Sequence, residues 1–412
     1  MVPLACGIAL LAVIHRPSIG RAPSRLLDLA LGLSLAAIAV QLIPLSAALR
    51  GRLSPAGLAY DRAMRFNALA IADRPLSIAP AETRLALFSA ATLVLLFWCS
   101  RTIFERSGTR TTIRGIVWIG LFVSPLAFVH HIMPLPVIDQ AWGLTSGGLR
   151  PYGPFVNRND FAGWLIMAIP LTLGYGIARA RRRAGTAGTA PGAVDTTSLW
   201  LAMAAALMLG GLLFSLSRSG VAGAAAGLVC FAWLARGRVT ATGTIWGAVA
   251  LVAMLAVAAM YADLGALSSR FESTFADGLS GRLAIWRQTL PVIRGFWPFG
   301  SGAGTYQSVM VLYQTMSRYF YITHADNEPL QILAEGGLLL GLPIALSLAA
   351  GAALVMKRLR DDRSAIFWLR AGAATGMFAI GAQNMVEMTM RVPANAVLFA
   401  MLAAVAVHDG EA

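Results

Sequence analysis

Charge is scarce in this chain. Asp, Glu, Lys and Arg together make up 13% of its 412 residues, against 57% for the apolar set. Soluble domains carry about a quarter charged residues, and a soluble fold of this length could not hide so much apolar side chain, which excludes a water-soluble globule. Histidine and cysteine are scarcer still, at five and three. Cys6, Cys99 and Cys230 fall in or beside apolar runs without paired spacing, which leaves out a disulfide framework and a CxxC metal site. The chain also lacks a Walker loop, a GxSxG elbow and an HExxH helix, and with them the usual signatures of NTP, ester and zinc-dependent peptide hydrolysis. No repeat marks a solenoid or a duplicated transporter half.

What is present is a series of apolar stretches, at about 2–14, 26–48, 84–100, 115–133, 160–178, 197–216, 220–235, 244–262, 329–356, 365–386 and 393–408. Most are long enough to cross a hydrocarbon layer as helices, which predicts an all-α polytopic membrane protein with about 11–12 spans. The first run has no basic segment before it, so it does not read as a signal peptide. The net charge of +14 has two readings, nucleic acid or membrane. The basic residues sit in short clusters between apolar runs, so the positive-inside rule and anionic headgroups account for them, and no nucleic-acid partner is expected. Arg16, Arg21 and Arg25; Arg101, Arg106, Arg110 and Arg114; Arg179 and Arg181 to Arg183; Arg236 and Arg238; and Lys357, Arg358, Arg360 and Arg363 alternate correctly with the helix count. All five clusters can therefore be cytoplasmic. The loops at about 49–83, 134–159, 217–219, 263–328 and 387–392 then face outward. The starting helix comes out with its first residue outside, which one further N-terminal span would cure.

Three regions follow: helices with short loops over 1–262, a large outer loop over 263–328, and C-terminal spans over 329–412. Within the loop, GRLAIWRQTLPVIRGFW reads as a helix on the membrane surface, with Leu283, Ile285, Trp286, Leu290 and Ile293 apolar and Arg282, Arg287 and Arg294 charged. FGSGAGTY (299–306) reads as a turn whose glycines permit positive φ.

The residues able to carry chemistry lie on the outer side. His324 stands in THADNEPLQILAEGG, either as a solvated loop side chain or as a proton acceptor. Asp326 or Asn327 caps the helix that follows. Asn327, Gln331 and Glu335 recur every fourth residue and share a face. A carboxylate at the depth of Glu335 belongs in a wet cavity or a structural contact. Arg218, in SLSRSG, and Arg282 each read as snorkelling to lipid phosphate or as a clamp on a ligand phosphate, which the planar guanidinium suits. Glu387 and Arg391 form an i, i+4 pair of structural type. His130 and His131 close a helix at the outer interface. Asn157 and Asn159 either cap the helix beginning near Asp160 or line a ligand site. No outer loop offers acids at DxD spacing for a divalent ion, so no metal or other cofactor is expected, and charge on a phosphate substrate falls to arginine.

In order and placement, PLSIAPAET, GPFVNRNDFAGWL, SLSRSG, GRLAIWRQTLPVIRGFWPFGSGAGTY, HADNEPLQILAEGGLLLG and NMVEMTMRVPANAVLF resemble the O-antigen ligase and polymerase superfamily of bacterial envelope glycosyltransferases, from about residue 60 to the C-terminus. The resemblance implies a GT-C-like helical bundle in the inner membrane with a periplasmic active site. It implies an undecaprenyl-diphosphate-linked glycan as donor. The acceptor is a lipid A core hydroxyl in a ligase, or a growing glycan in a polymerase. It also implies that Arg218 and Arg282 bind the diphosphate and that His324 is the general base. Such proteins commonly have about a dozen spans, one more than counted here. A polysaccharide flippase is the main reading from another class; it calls for charges spread through mid-membrane positions and duplicated halves, and neither is visible. A non-catalytic scaffold of an export complex is a third.

Overall fold

The computed structural model describes residues 2–64, 73–106, 108–133, 151–184, 196–238, 276–315 and 321–409, with side chains over 276–280 and at 184 left aside. The run at 244–262 and residues 185–195 lie outside these residues. Among the described residues the chain is almost entirely helical. Its helices are α1 (Val2–His15), α2 (Arg25–Val40), α3 (Ala47–Leu53), α4 (Pro55–Met64), α5 (Pro80–Arg106), α6 (Thr109–Ile132), α7 (Arg158–Ala184), α8 (Thr196–Phe214), α9 (Arg218–Ala235), α10 (Ala276–Gly295), α11 (Tyr306–Tyr313), α12 (Glu328–Asp361), α13 (Ile366–Gln383) and α14 (Pro393–Val407). Six of them, α5 to α9 and α12, are long and apolar enough to cross a bilayer. The chain is a polytopic α-helical membrane protein, as its composition requires.

Two boundaries differ from the sequence reading. The apolar run at 26–48 is a helix only to Val40, and the side chain of Gln41, which closes that helix, binds elsewhere. Pro44–Leu45 (β1) then pairs antiparallel with Arg74–Pro75 (β2). The other difference is in α12, which spans 34 residues but is broken at Gly337 (φ 53°, ψ −145°). Only the part after the break, about 36 Å at 1.5 Å per residue, is needed to cross the hydrocarbon. A Cβ at Gly337 would collide with the carbonyl of Pro298. That carbonyl accepts from Leu338 N at 2.8 Å and Leu339 N at 3.2 Å, so the break is where the 297–304 turn docks. The turn is glycine-built as expected, with φ of 75°, 117° and 81° at Gly300, Gly302 and Gly304.

The bundle centres on α7, whose Phe161, Ala162, Leu165, Met167, Ala168 and Leu171 are fully buried or nearly so. Its main partner is α13. Gly174 faces the carbonyl of Trp368, and Gly372 faces that of Pro170, so closely that neither tolerates a Cβ. With no hydrophobic drive between helices in lipid, such small-residue approaches hold spans together.

Polar side chains gather at the two ends. At one end Asp28, buried, binds Arg101 (2.8 Å) and Trp98 Nε1 (3.0 Å). Phe104 meets the His408 ring edge-on. Arg370 donates to the His408 carbonyl (2.9 Å) and pairs with Asp362 (2.6 Å), and Arg238 donates to the Asp362 carbonyl (2.9 Å). Arg181 reaches the carbonyl of Arg238 (3.3 Å). These contacts chain together the loops that carry the basic clusters, so those clusters share one side. The other end holds everything described next.

Candidate functional site

This second end is assembled on a small core of its own, including Ile78, Val292, Phe296, Tyr306, Met310 and Ala334. Helix α10 packs into it through Val292 and Thr289, whose hydroxyl lies 2.7 Å from Tyr306 OH. That differs from a helix lying flat on lipid. Ile285 and Ile293 pack against this core, while Leu283 and Leu290 are exposed. Gln41, fully buried, ties the assembly to the spans. Its Nε2 donates to the carbonyls of Phe299 (2.9 Å) and Glu335 (3.0 Å), and its Oε1 accepts from Ala303 N (2.9 Å).

Glu335 is a hub of structure. Its carboxylate accepts from Gln331 Nε2 (2.9 Å), Gly304 N (2.9 Å) and Arg391 (3.2 Å). Gln331 in turn accepts from Ala325 N (2.9 Å), fixing the turn after His324. Asn327 is the helix cap, accepting from Leu330 N (2.9 Å), and its Nδ2 donates to the Met385 carbonyl (2.7 Å). The shared face of Asn327, Gln331 and Glu335 is therefore real, but its polar atoms are engaged within the protein. Arg391 pairs with Glu335 and Glu328 and not with Glu387, as the i, i+4 spacing had suggested, because a short 3₁₀ turn (Thr389–Arg391) replaces the helix there. The paired acids hold its guanidinium charged more firmly than usual, against the pull of burial. His130 and His131 hold a neighbouring turn: the first approaches the Gly153 carbonyl (3.2 Å) and the second stacks on Tyr152.

Glu387 instead pairs with Arg282, 105 residues away. The same oxygen accepts from Asn159 Nδ2 (2.8 Å) and Ser219 Oγ (3.2 Å). Asn159 Oδ1 accepts from Ser217 Oγ (2.8 Å), and Ser217 caps α9 by accepting from Gly220 N (3.1 Å). Arg218 is the first residue of that helix and is exposed. Glu387 thus fastens Arg282 to the helix start that carries Arg218, where backbone N–H groups and the helix dipole favour an anion. Burial pushes the Glu387 carboxyl up, and Arg282 opposes that. Asn157 is exposed and accepts from Asn159 N (2.9 Å), which is a capping contact.

His324 is exposed beside this network, its Nδ1 2.9 Å from Thr323 Oγ1. Burial of the site, then Arg391, lowers its pKa, against the opposing charges of Asp326 and Glu335. The shift favours the neutral imidazole, the form that can accept a proton. Asp326 adopts a left-handed backbone (φ 47°), a strained state often found at working sites. Burial raises its pKa, and Arg282 and His324 oppose the shift, so Asp326 lies in the field of both. The sequence pattern presented Asp326 only as a possible cap. Its position two residues after the lone outer-loop histidine was the available signal. Nothing in the sequence tied Glu387 to Arg282.

Removing the shared acceptor should loosen this end. Glu387→Ala leaves Asn159, Ser219 and Arg282 without it, at a cost of about 1–3 kcal/mol, with little of that from Arg282 itself, which is 29% exposed. Glu387→Gln keeps an oxygen in place and should lose less. Thermal unfolding of the purified variants checks the order, and equal midpoints for all three proteins would count against it.

Fold and site together define a multi-pass helical membrane protein that collects arginines, carboxylates and a histidine at one end of its bundle. Residues 203–345 match the family described as O-Antigen ligase, and over that segment the chain is similar to the O-antigen ligase and polymerase superfamily. Arg218, Arg282 and His324 all fall inside it. No curated protein matches the chain. The family supports an enzyme of glycosyltransferase type that handles a lipid-linked glycan and an acceptor.

Proposed function

We propose that the chain is a bacterial inner-membrane glycosyltransferase that moves a glycan from undecaprenyl diphosphate to an acceptor hydroxyl on the periplasmic face, with the lipid A core as acceptor. The observation that carries the reading is the coupling of Arg282 to the α9 N-terminus through Glu387, beside His324 and inside the matched segment. The basic clusters at the opposite end support an outward orientation for this end.

In this reading the donor diphosphate lies between Arg218 and Arg282. The acceptor oxygen attacks the anomeric carbon in line, a new C–O bond forms as the bond to the diphosphate breaks, and the anomeric centre inverts. The diphosphate leaves with the bonding electron pair, and the arginines stabilise its charge. The hydroxyl proton passes to His324; with Nδ1–H donated to Thr323, Nε2 presents the lone pair. The arginines do the work a divalent ion does in other glycosyl transfers. Asn159, Asn327, Gln331 and Glu335 act by positioning.

The test is transfer by the purified protein in liposomes, from undecaprenyl-diphosphate-linked glycan to rough lipopolysaccharide. Glycan joined to the lipid A core, at a rate unchanged by EDTA, is expected. The family match serves a polymerase equally well, and elongation of the donor without lipopolysaccharide would assign that activity instead. Loss of donor from the inner leaflet without any new glycosidic bond would point to a flippase and overturn the reading.

A further inference from the structure

The basic end of the bundle holds a cavity that the transfer reaction does not use. It lies where α1 ends, α2 begins and α5 ends, as two adjoining open clefts of about 260 and 360 Å³ that share Ser18, Arg21 and Glu105 in their walls. Arg16, Arg106 and Arg101 complete its charged lining with Asp409.

The loop forming it is rigidly built. Arg101 is neutralised by buried Asp28, and also donates to the Ser18 carbonyl (2.5 Å). Ser18 N donates to Thr102 Oγ1 (3.1 Å), Gly20 N to Asp28 Oδ2 (2.9 Å), and Ser24 Oγ to the Arg21 carbonyl (3.1 Å). Arg16 sits in the left-handed region at φ 43°. A buried ion pair thus serves as a floor that holds the arginine-bearing loop in one shape. Asp409 is paired with Arg358. What remains is three guanidinium groups, Arg16, Arg21 and Arg106, and one carboxylate, Glu105, none of them in an ion pair among the described residues.

That set is lopsided in a chemically specific way. Three arginines match a phosphodiester, for which the planar fork is well shaped. A lone carboxylate beside them penalises a purely anionic ligand and favours one that also brings a cation with N–H donors. The cavity lies at the end of the α5 span, at phosphate depth in the cytoplasmic leaflet. We propose that this cavity binds the headgroup of a cytoplasmic-leaflet phospholipid of phosphoethanolamine type, the phosphate on Arg16, Arg21 and Arg106 and the ammonium on Glu105.

Native mass spectrometry of the full-length protein in detergent, with phosphatidylethanolamine, phosphatidylglycerol or phosphatidylcholine added at equal concentration, reads this directly. The ethanolamine lipid should be retained at least several-fold over the other two. Arg21→Ala with Arg106→Ala should cut retention of the ethanolamine lipid at least fivefold, and Glu105→Gln should erase the preference for it over phosphatidylglycerol. Arg21 and Arg106 are exposed, and unchanged thermal midpoints confirm that the variants fold. Equal retention by wild type and double variant overturns the proposal. So does a preference for phosphatidylglycerol in the wild type, or displacement of the lipid by millimolar inorganic phosphate, which would make this a free-anion site.

Discussion

His324→Ala is expected to lower glycan transfer by about 10²–10⁴-fold, the usual contribution of a positioned general base, with the protein present at normal level. The pH profile is the sharper measurement. A general base works in its neutral form, so the rate falls as pH drops through its pKa. An unperturbed histidine would titrate near 6.5. The surroundings of His324 lower that value, burial first and Arg391 second. The rate should therefore stay flat from pH 8 to below 6.5 and decline only under more acid conditions. His324→Ala should remove this limb along with most of the rate. Asp326→Asn takes away a charge that raises the histidine's pKa, so it should move the limb to still lower pH. Long-chain glycan at wild-type level from His324→Ala would sink the assignment of the base.

Arg282→Ala and Arg218→Ala should each reduce transfer by about 10²–10³-fold, the range seen when one preorganised charge-stabilising group is lost. The substitutions to lysine discriminate more finely. An ammonium is a point charge without the fork. At position 282 it cannot keep the Glu387 contact and also present parallel donors to a diphosphate. Arg282→Lys should therefore recover little of the loss, and its defect should appear in kcat as well as in the donor KM, since charge builds on the diphosphate as it leaves. If Arg282→Lys matched wild type, the arginine would be no more than a lipid-facing charge. Transfer from the same membranes to rough lipopolysaccharide measures all four variants.

Much of this architecture was legible from the chain alone. Hydropathy predicts spans because backbone polar groups in lipid must bond within the helix, and the basic clusters share one side, as their alternation with the helix count requires. FGSGAGTY announced a turn, since only glycine takes three positive φ values in five residues at little cost. The parts that were not legible depend on distant partners. The helix break at Gly337 is induced by the Pro298 carbonyl, 39 positions earlier, and the local sequence reads straight through it. Glu387 looked like a helical partner of Arg391, but a 3₁₀ turn rotates the two apart and hands each to a different helix. Gln331 and Glu335 share a face as their spacing requires, yet spacing says nothing about whether a face looks at ligand or at protein. Here it looks at the 299–304 turn.

The break in α12 has a consequence for how the protein sits among lipids. Residues 338–361 can tilt to suit a thinner or thicker hydrocarbon layer. The outer stub that starts at Glu328 belongs to a different rigid unit, clasped by the 297–304 turn, Gln41 and Arg391. Were the span to tilt in this way, the joint at Gly337 would lie between that movement and the unit that holds His324, Arg282 and Glu387. In the proposed reading, a lipid-linked donor would then meet the same arrangement of charges in bilayers of different thickness.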